Sequence, residues 1–142
     1  MSVDVKYWTQ AHAKGEGRNG TAGLDNGSLD VTMTSPRELG GSGEGHNPEE
    51  LFAIGYAACF LGAMRFAATT DKLGTVPDDA RVDAHVGIGP RSDGGFGLRV
   101  KLVVSMPDTR RATVEKIIER GHFICPYSNA TAGNITVDTE IA

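Results

Sequence analysis

The chain has 142 residues, 39% of them hydrophobic and 23% charged, which is enough apolar material for one domain, residues 1–142, with a core of its own. Its 14 lysines and arginines against 18 aspartates and glutamates leave a formal net charge of -4 with the cations scattered, which argues against a nucleic-acid partner. The N-terminal MSVDVKYWTQ has no basic flank leading into an apolar stretch, and the charge-free run Leu51 to Met64 falls short of the ~20 residues that span a bilayer, so a cytoplasmic protein without a membrane partner is expected.

Val3, Val5, Tyr7, Thr9, Ala11 and Ala13 alternate with Asp4, Lys6, Trp8, Gln10, His12 and Lys14, the period of a strand with one buried face. Two further strands, Arg18 to Leu24 and Ser28 to Thr34, flank Asp25-Asn26-Gly27, where Asn-Gly tolerates the positive φ of a tight hairpin. Leu29, Val31 and Met33 form the expected buried face of the third strand. Ser35 to His46, with Pro36 and glycines at 40, 41, 43 and 45, reads as a mobile connector without regular structure. It lacks the lysine of a phosphate-binding loop and sets Glu44 where an anion would sit.

Asn47 to Thr70 is the expected central helix. Asn47 can cap it, Pro48 suits its first turn, and Glu49 and Glu50 complement the positive end of its dipole. With no charge from Leu51 to Met64, it is apolar on every side and predicted to be buried, needing more cover than one sheet face and one helix provide; a dimer would supply the remainder. Past a polar turn at Thr75 to Ala80, Arg81 to Gly89 and Phe96 to Met106 predict an antiparallel pair. Val82, Ala84, Val86 and Ile88 face inward on one strand, and Phe96, Leu98, Val100, Leu102, Val104 and Met106 on the other. Asp108 is the expected cap of an amphipathic helix built on Val114, Ile117, Ile118 and Gly121, with Gly121 ending it, and Ile135, Val137, Thr139 and Ile141 mark a last strand. The predicted order βββ-α-ββ-α-β describes an α+β protein whose helices cover a mostly antiparallel sheet.

Two cysteines in a cytosolic chain are seldom a structural staple, because that compartment keeps thiols reduced. On the central helix, Cys59 has Gly55, Tyr56, Gly62 and Ala63 one turn away; three of the four are small, leaving a notch beside the thiol. The same pattern also suits an inert buried cysteine under a closely packed neighbour. Burial raises a thiol pKa, so a reactive Cys59 requires a cation, and Arg65, about 240° round the helix, points away. Cys125 sits in CPYSNATAG, expected to be a polar, mobile turn, and its separation from Cys59 excludes a local CxxC motif without deciding spatial contact. A zinc site from Cys59, Cys125 and His122 with His12, His46 or His85 lacks paired ligand spacings, so no metal and no organic cofactor is expected. A non-enzymatic module that binds an apolar ligand or senses redox state is the alternative reading.

NPEELFAIGYAACFLGAMRFAA and CPYSNATAGN, with GRNG at Arg18 and GFGL at Phe96, resemble the organic hydroperoxide resistance branch of the OsmC/Ohr family, over nearly the whole chain and in order. The resemblance implies a thiol peroxidase acting on organic hydroperoxides, built as an intertwined homodimer and re-reduced by a dithiol on lipoylated proteins. It implies further that Cys59 is the peroxidatic and Cys125 the resolving cysteine, forming an intramolecular disulfide, with Arg18 and Glu49 holding the reactive site. On that reading Phe52, Ile54, Tyr56, Phe60 and Leu61 are the expected substrate-binding residues, favouring alkyl or lipid hydroperoxides. Ala132 departs from the family, which usually has a basic residue after SNAT. Glu49 and Cys59 lie about 15 Å apart along a straight helix, so Arg18 is expected to bridge them unless the helix breaks near Gly55 or the partner subunit supplies the charges.

Overall fold

A strand persists only where a neighbour completes its hydrogen-bond ladder, and this rule shapes the N-terminal sheet. The computed structural model describes all 142 residues, which divide into two units, Met1–Leu51 and Phe52–Ala142. In the first unit β1 (Ala11–Lys14), β2 (Thr21–Leu24) and β3 (Asp30–Thr32) form an antiparallel sheet in that order. The first strand is shorter than its alternation predicts, because β2 offers it only four partners; Val3, Val5, Tyr7 and Thr9 are exposed rather than half-buried. The Asn-Gly turn forms as expected, with Gly27 at φ 76° and the Ser28 N–H donating to Asn26 Oδ1 at 2.9 Å. Met33 is buried, whereas Leu29, at the turn, is exposed.

The glycine-rich segment differs from expectation in holding structure. A single 3-10 turn spans Arg37–Leu39, and Gly41 and Gly43 donate to the carbonyls of Pro36 and Ser35. His46 pairs with Met33 in an isolated bridge that leads the chain into α1 (Pro48–Thr70). Asn47 caps α1 reciprocally: its Oδ1 accepts from the Glu50 N–H at 2.9 Å while its amide donates to the Glu50 carboxylate at 2.8 Å. The helix is unbroken, so Gly55 is not a kink. At 23 residues it is by length and composition long and apolar enough to cross a bilayer, although its charge-free run alone is not.

The second unit is built on β4 (Arg81–Pro90), β5 (Phe96–Ser105) and β6 (Val137–Ile141), with β5 central, antiparallel to β4 and parallel to β6. Its core joins Tyr56, Phe60 and Met64 of α1 to Val100, Leu102 and Val104 of β5, and to Val114 and Ile117 of α2 (Arg111–Ile124). The inward phase of β5 is as predicted from Val100 onward; Phe96, at the hairpin end, is exposed. Within one chain α1 is buried along one face only, and Ile54 and Phe66 are 68% and 59% exposed. Arg65 donates to the carbonyls of Val76 and Pro77 at 2.9 and 2.8 Å, holding the loop that follows the helix.

Two expectations about α2 are corrected. Asp108 adopts φ 57°, in the left-handed region, and cannot serve as a cap, which needs extended backbone; the helix starts after Arg110. Gly121 does not end α2 but lies within it, where a Cβ would come 3.0 Å from Met64 Cγ and 3.4 Å from the Phe60 ring. Its missing side chain lets α2 approach α1 closely. A third helix that the sequence did not predict, α3 (Pro126–Thr131), follows with only Cys125 between the two. Pro126, read as part of a turn, occupies the first position of a helix, where its absent N–H costs nothing.

Candidate active site

Cys59 projects from the middle of α1, half-buried, and Cys125 lies at the junction of α2 and α3, completely buried. Burial of Cys125 overturns its expected mobility: with φ −64° and ψ 120° it caps α3, its Sγ accepting from the Ser128 N–H at 3.5 Å. The structure brings the two free thiols into contact, Cys125 Sγ donating to Cys59 Sγ across 3.4 Å. Burial pushes the Cys59 thiol above its ordinary pKa; a backbone hydrogen bond with Tyr127 opposes this, and the neighbouring Cys125 adds to the rise.

The notch expected beside Cys59 is only partly open. Next to Gly62 there is free space, but Gly55 lies beneath the Tyr127 ring, whose Oη would be 2.8 Å from a Cβ there. Tyr127 joins Phe52 and Tyr56 in an aromatic cluster with ring centroids 5.7 to 6.0 Å apart. Of the apolar residues expected to bind substrate, Phe52 and Tyr56 belong to this cluster, Phe60 and Leu61 pack in or against the core, and Ile54 faces outward. A groove of about 1150 Å³ is lined by Phe52, Phe96, Leu98, Thr131 and Ile135 among others, and neither cysteine borders it.

Arg18 and Glu49, both in the Met1–Leu51 unit, form a two-pronged pair: Nη2 donates to Oε1 at 2.7 Å and Nη1 to Oε2 at 3.1 Å. The hydrogen bonds raise the arginine pKa and hold the Glu49 carboxyl below its usual range.

Sequence reasoning missed a polar chain around Cys125. Ser128 Oγ meets Tyr56 Oη and His122 Nδ1, each at 2.8 Å, and His122 Nε2 meets Thr139 Oγ1 at 2.8 Å. Burial lowers the His122 pKa, so the imidazole is neutral at neutral pH, and its ring lies 4.4 Å from that of Phe60. The available signal was Cys-Pro-x-Ser, a cap, a proline and a polar residue at the third helical position, which reads as the start of a helix rather than a turn.

The family model for OsmC-like proteins matches residues 41–140. An organic hydroperoxide resistance protein of Xanthomonas axonopodis pv. citri is 47% identical over 139 residues, 97% of this chain and 96% of that one. The crystal structure of an organic hydroperoxide resistance protein from Elizabethkingia anophelis aligns with a TM-score of 0.90 at 40% identity, covering 99% of each chain. One from Legionella pneumophila aligns with a TM-score of 0.90 at 37% identity, covering 98% of this chain and 99% of that one.

Proposed function

We propose, from the premise that this chain belongs to the organic hydroperoxide resistance branch of the OsmC/Ohr family, that it is a thiol-dependent peroxidase reducing alkyl or lipid hydroperoxides to alcohols in the cytoplasm. The observation that carries the reading is the contact of two free thiols from segments 66 residues apart. A pair of inert core cysteines has no need of that contact.

In the first step the Cys59 thiolate attacks the distal oxygen of the hydroperoxide. An S–O bond forms, the O–O bond breaks, and the departing alkoxide takes a proton to become the alcohol, leaving Cys59 as a sulfenic acid. In the second, the Cys125 sulfur attacks Cys59; the S–S bond forms, the S–O bond breaks, and hydroxide leaves with the Cys125 proton as water. A dithiol, by family resemblance one carried on lipoylated proteins, then reduces the disulfide by two thiol exchanges and is itself oxidised to a disulfide. Because burial opposes ionisation of Cys59, the first step needs a cation, and the resemblance assigns that role to Arg18 with Glu49 fixing its guanidinium. Phe52 and Tyr127 supply apolar contact for an alkyl chain, while Tyr56, wholly buried, backs their rings rather than meeting the substrate. The exposed Ile54 and Phe66 support a homodimer, since large apolar side chains on a helix face ask for cover.

Thiol titration tests the reading. One equivalent of an alkyl hydroperoxide should remove both thiols of the reduced protein, and Cys59→Ser should abolish the loss. Cys125→Ser should keep the first attack and lose multiple turnover. Turnover that survives Cys59→Ser would sink the chemistry, whereas wild-type protein that loses no thiols would leave the apolar-ligand module as the reading.

A further inference from the structure

We infer that Ser128 and His122 are positioning residues for closure of the disulfide, tethering the first turn of α3 so that Cys125 is presented to Cys59. The inference rests on the peroxidase reading, within which it assigns the residues that govern the second step.

Cys125 is the single residue between two helices, and its Sγ has two partners, Cys59 Sγ at 3.4 Å and the Ser128 N–H at 3.5 Å. A disulfide requires the sulfurs to approach to ~2.05 Å, so closure displaces Cys125, Cys59 or both. What the Cys125 side chain moves against is the amide of Ser128. That amide is held by its own side chain: Ser128 Oγ is bonded at 2.8 Å to Tyr56 Oη on α1 and at 2.8 Å to His122 Nδ1 on α2. His122 is in turn bonded at 2.8 Å to Thr139 Oγ1 on β6, and Thr131 Oγ1, 3.3 Å from Tyr56 Oη, donates to the Tyr127 carbonyl at 3.0 Å. The short helix is therefore moored directly to α1 and α2, and through His122 to β6. Ser128 is buried and His122 largely so, and no buried side-chain polar atom in the chain lacks a partner. Deleting one member leaves its neighbours unsatisfied and frees the turn.

The test is single turnover of the fully reduced full-length protein with one equivalent of tert-butyl hydroperoxide, quenched at intervals into dimedone and read by mass spectrometry, with alcohol release measured in parallel. Ser128→Ala and His122→Phe should release alcohol at the wild-type rate yet close the disulfide about tenfold more slowly, so that the dimedone adduct of Cys59 accumulates. Ser128→Thr, which keeps the hydroxyl, should restore closure. Thr139→Val, remote from both sulfurs, should slow closure about threefold and keeps the test decisive where His122→Phe does not fold. Wild-type closure in Ser128→Ala and Thr139→Val overturns the inference, and so does a parallel fall in alcohol release and closure, the behaviour of a residue that serves the fold alone. Wild-type protein that loses no thiols overturns the peroxidase reading, and this inference with it, and that control separates the two failures.

Discussion

Gly55 offers a substitution in which two effects of similar size oppose one another. Replacing it by alanine in the interior of α1 gains about 1 kcal/mol of helix propensity. Against that, the new Cβ would meet Tyr127 Oη at 2.8 Å, Cε2 at 3.1 Å and Cζ at 3.3 Å, so the ring must swing away. Tyr127 is 38% exposed and has room to do so, which keeps the clash itself inexpensive. The swing breaks its pairings with Phe52 at 5.8 Å and Tyr56 at 5.7 Å. Each such pairing contributes about 0.5–1.5 kcal/mol, so Gly55→Ala should be destabilising by about 1 kcal/mol net, roughly 4 °C in melting temperature. In a Tyr127→Ala background the opposing contact is gone and the same substitution should stabilise by about 1 kcal/mol. Thermal melts of the four proteins in the double-mutant cycle measure the coupling, expected at about 2 kcal/mol. An equal effect of Gly55→Ala in both backgrounds refutes the assignment of Gly55 to Tyr127.

Alkylation of Cys59 by iodoacetamide should accelerate about tenfold per pH unit through neutrality, since only the thiolate reacts and burial keeps the pKa high. Cys125→Ala should speed labelling at pH 7, because Cys125 contributes to that rise; mass spectrometry of the labelled peptide reads both. Glu49→Gln should lose about 1 kcal/mol at pH 7, a modest figure because Arg18 is well exposed. The folded carboxylate pKa is depressed, so its contribution is full above the unfolded value of about 4.3 and is lost as pH falls through the folded one. Urea melts of Glu49→Gln and wild type should therefore converge in acid; a gap that persists at low pH counts against the ion pair. Ile54→Glu together with Phe66→Glu should convert a dimer to monomer in sedimentation analysis, with the single-chain fold intact by circular dichroism, and an unchanged mass would argue that this face is not the interface.

What the sequence disclosed depended on how local the determining interaction is. The β4–β5 hairpin and the start of α1 were legible because alternation, Asn47 and Pro48 act within a few residues. Val3 to Thr9 alternates just as well, yet its ladder needs a partner that β2 does not extend to provide. Gly121 looked like a helix end, a local role, and instead serves the approach of α1 and α2, which is tertiary. The cysteines announced themselves by type, but 66 residues of separation carry no information about contact. His122 carries no local signal of its place in the polar chain, because its bonds run to residues 6 and 17 positions away, beyond any helical spacing.

The parallel pairing of β5 with β6 has a bearing on how the protein is made. A hairpin can join β4 to β5 as soon as both have left the ribosome, but parallel strands need a crossover, and here residues 106–136 are that crossover. Both α2 and α3, and Cys125 between them, travel within it. His122 is fastened through Thr139 to β6, which leaves the ribosome after both helices. The contact of the two thiols therefore waits for the crossover, since Cys125 travels in it and Cys59, in α1, leaves the ribosome earlier. On the peroxidase reading, a Cys59 oxidised before the crossover folds would have no second thiol beside it.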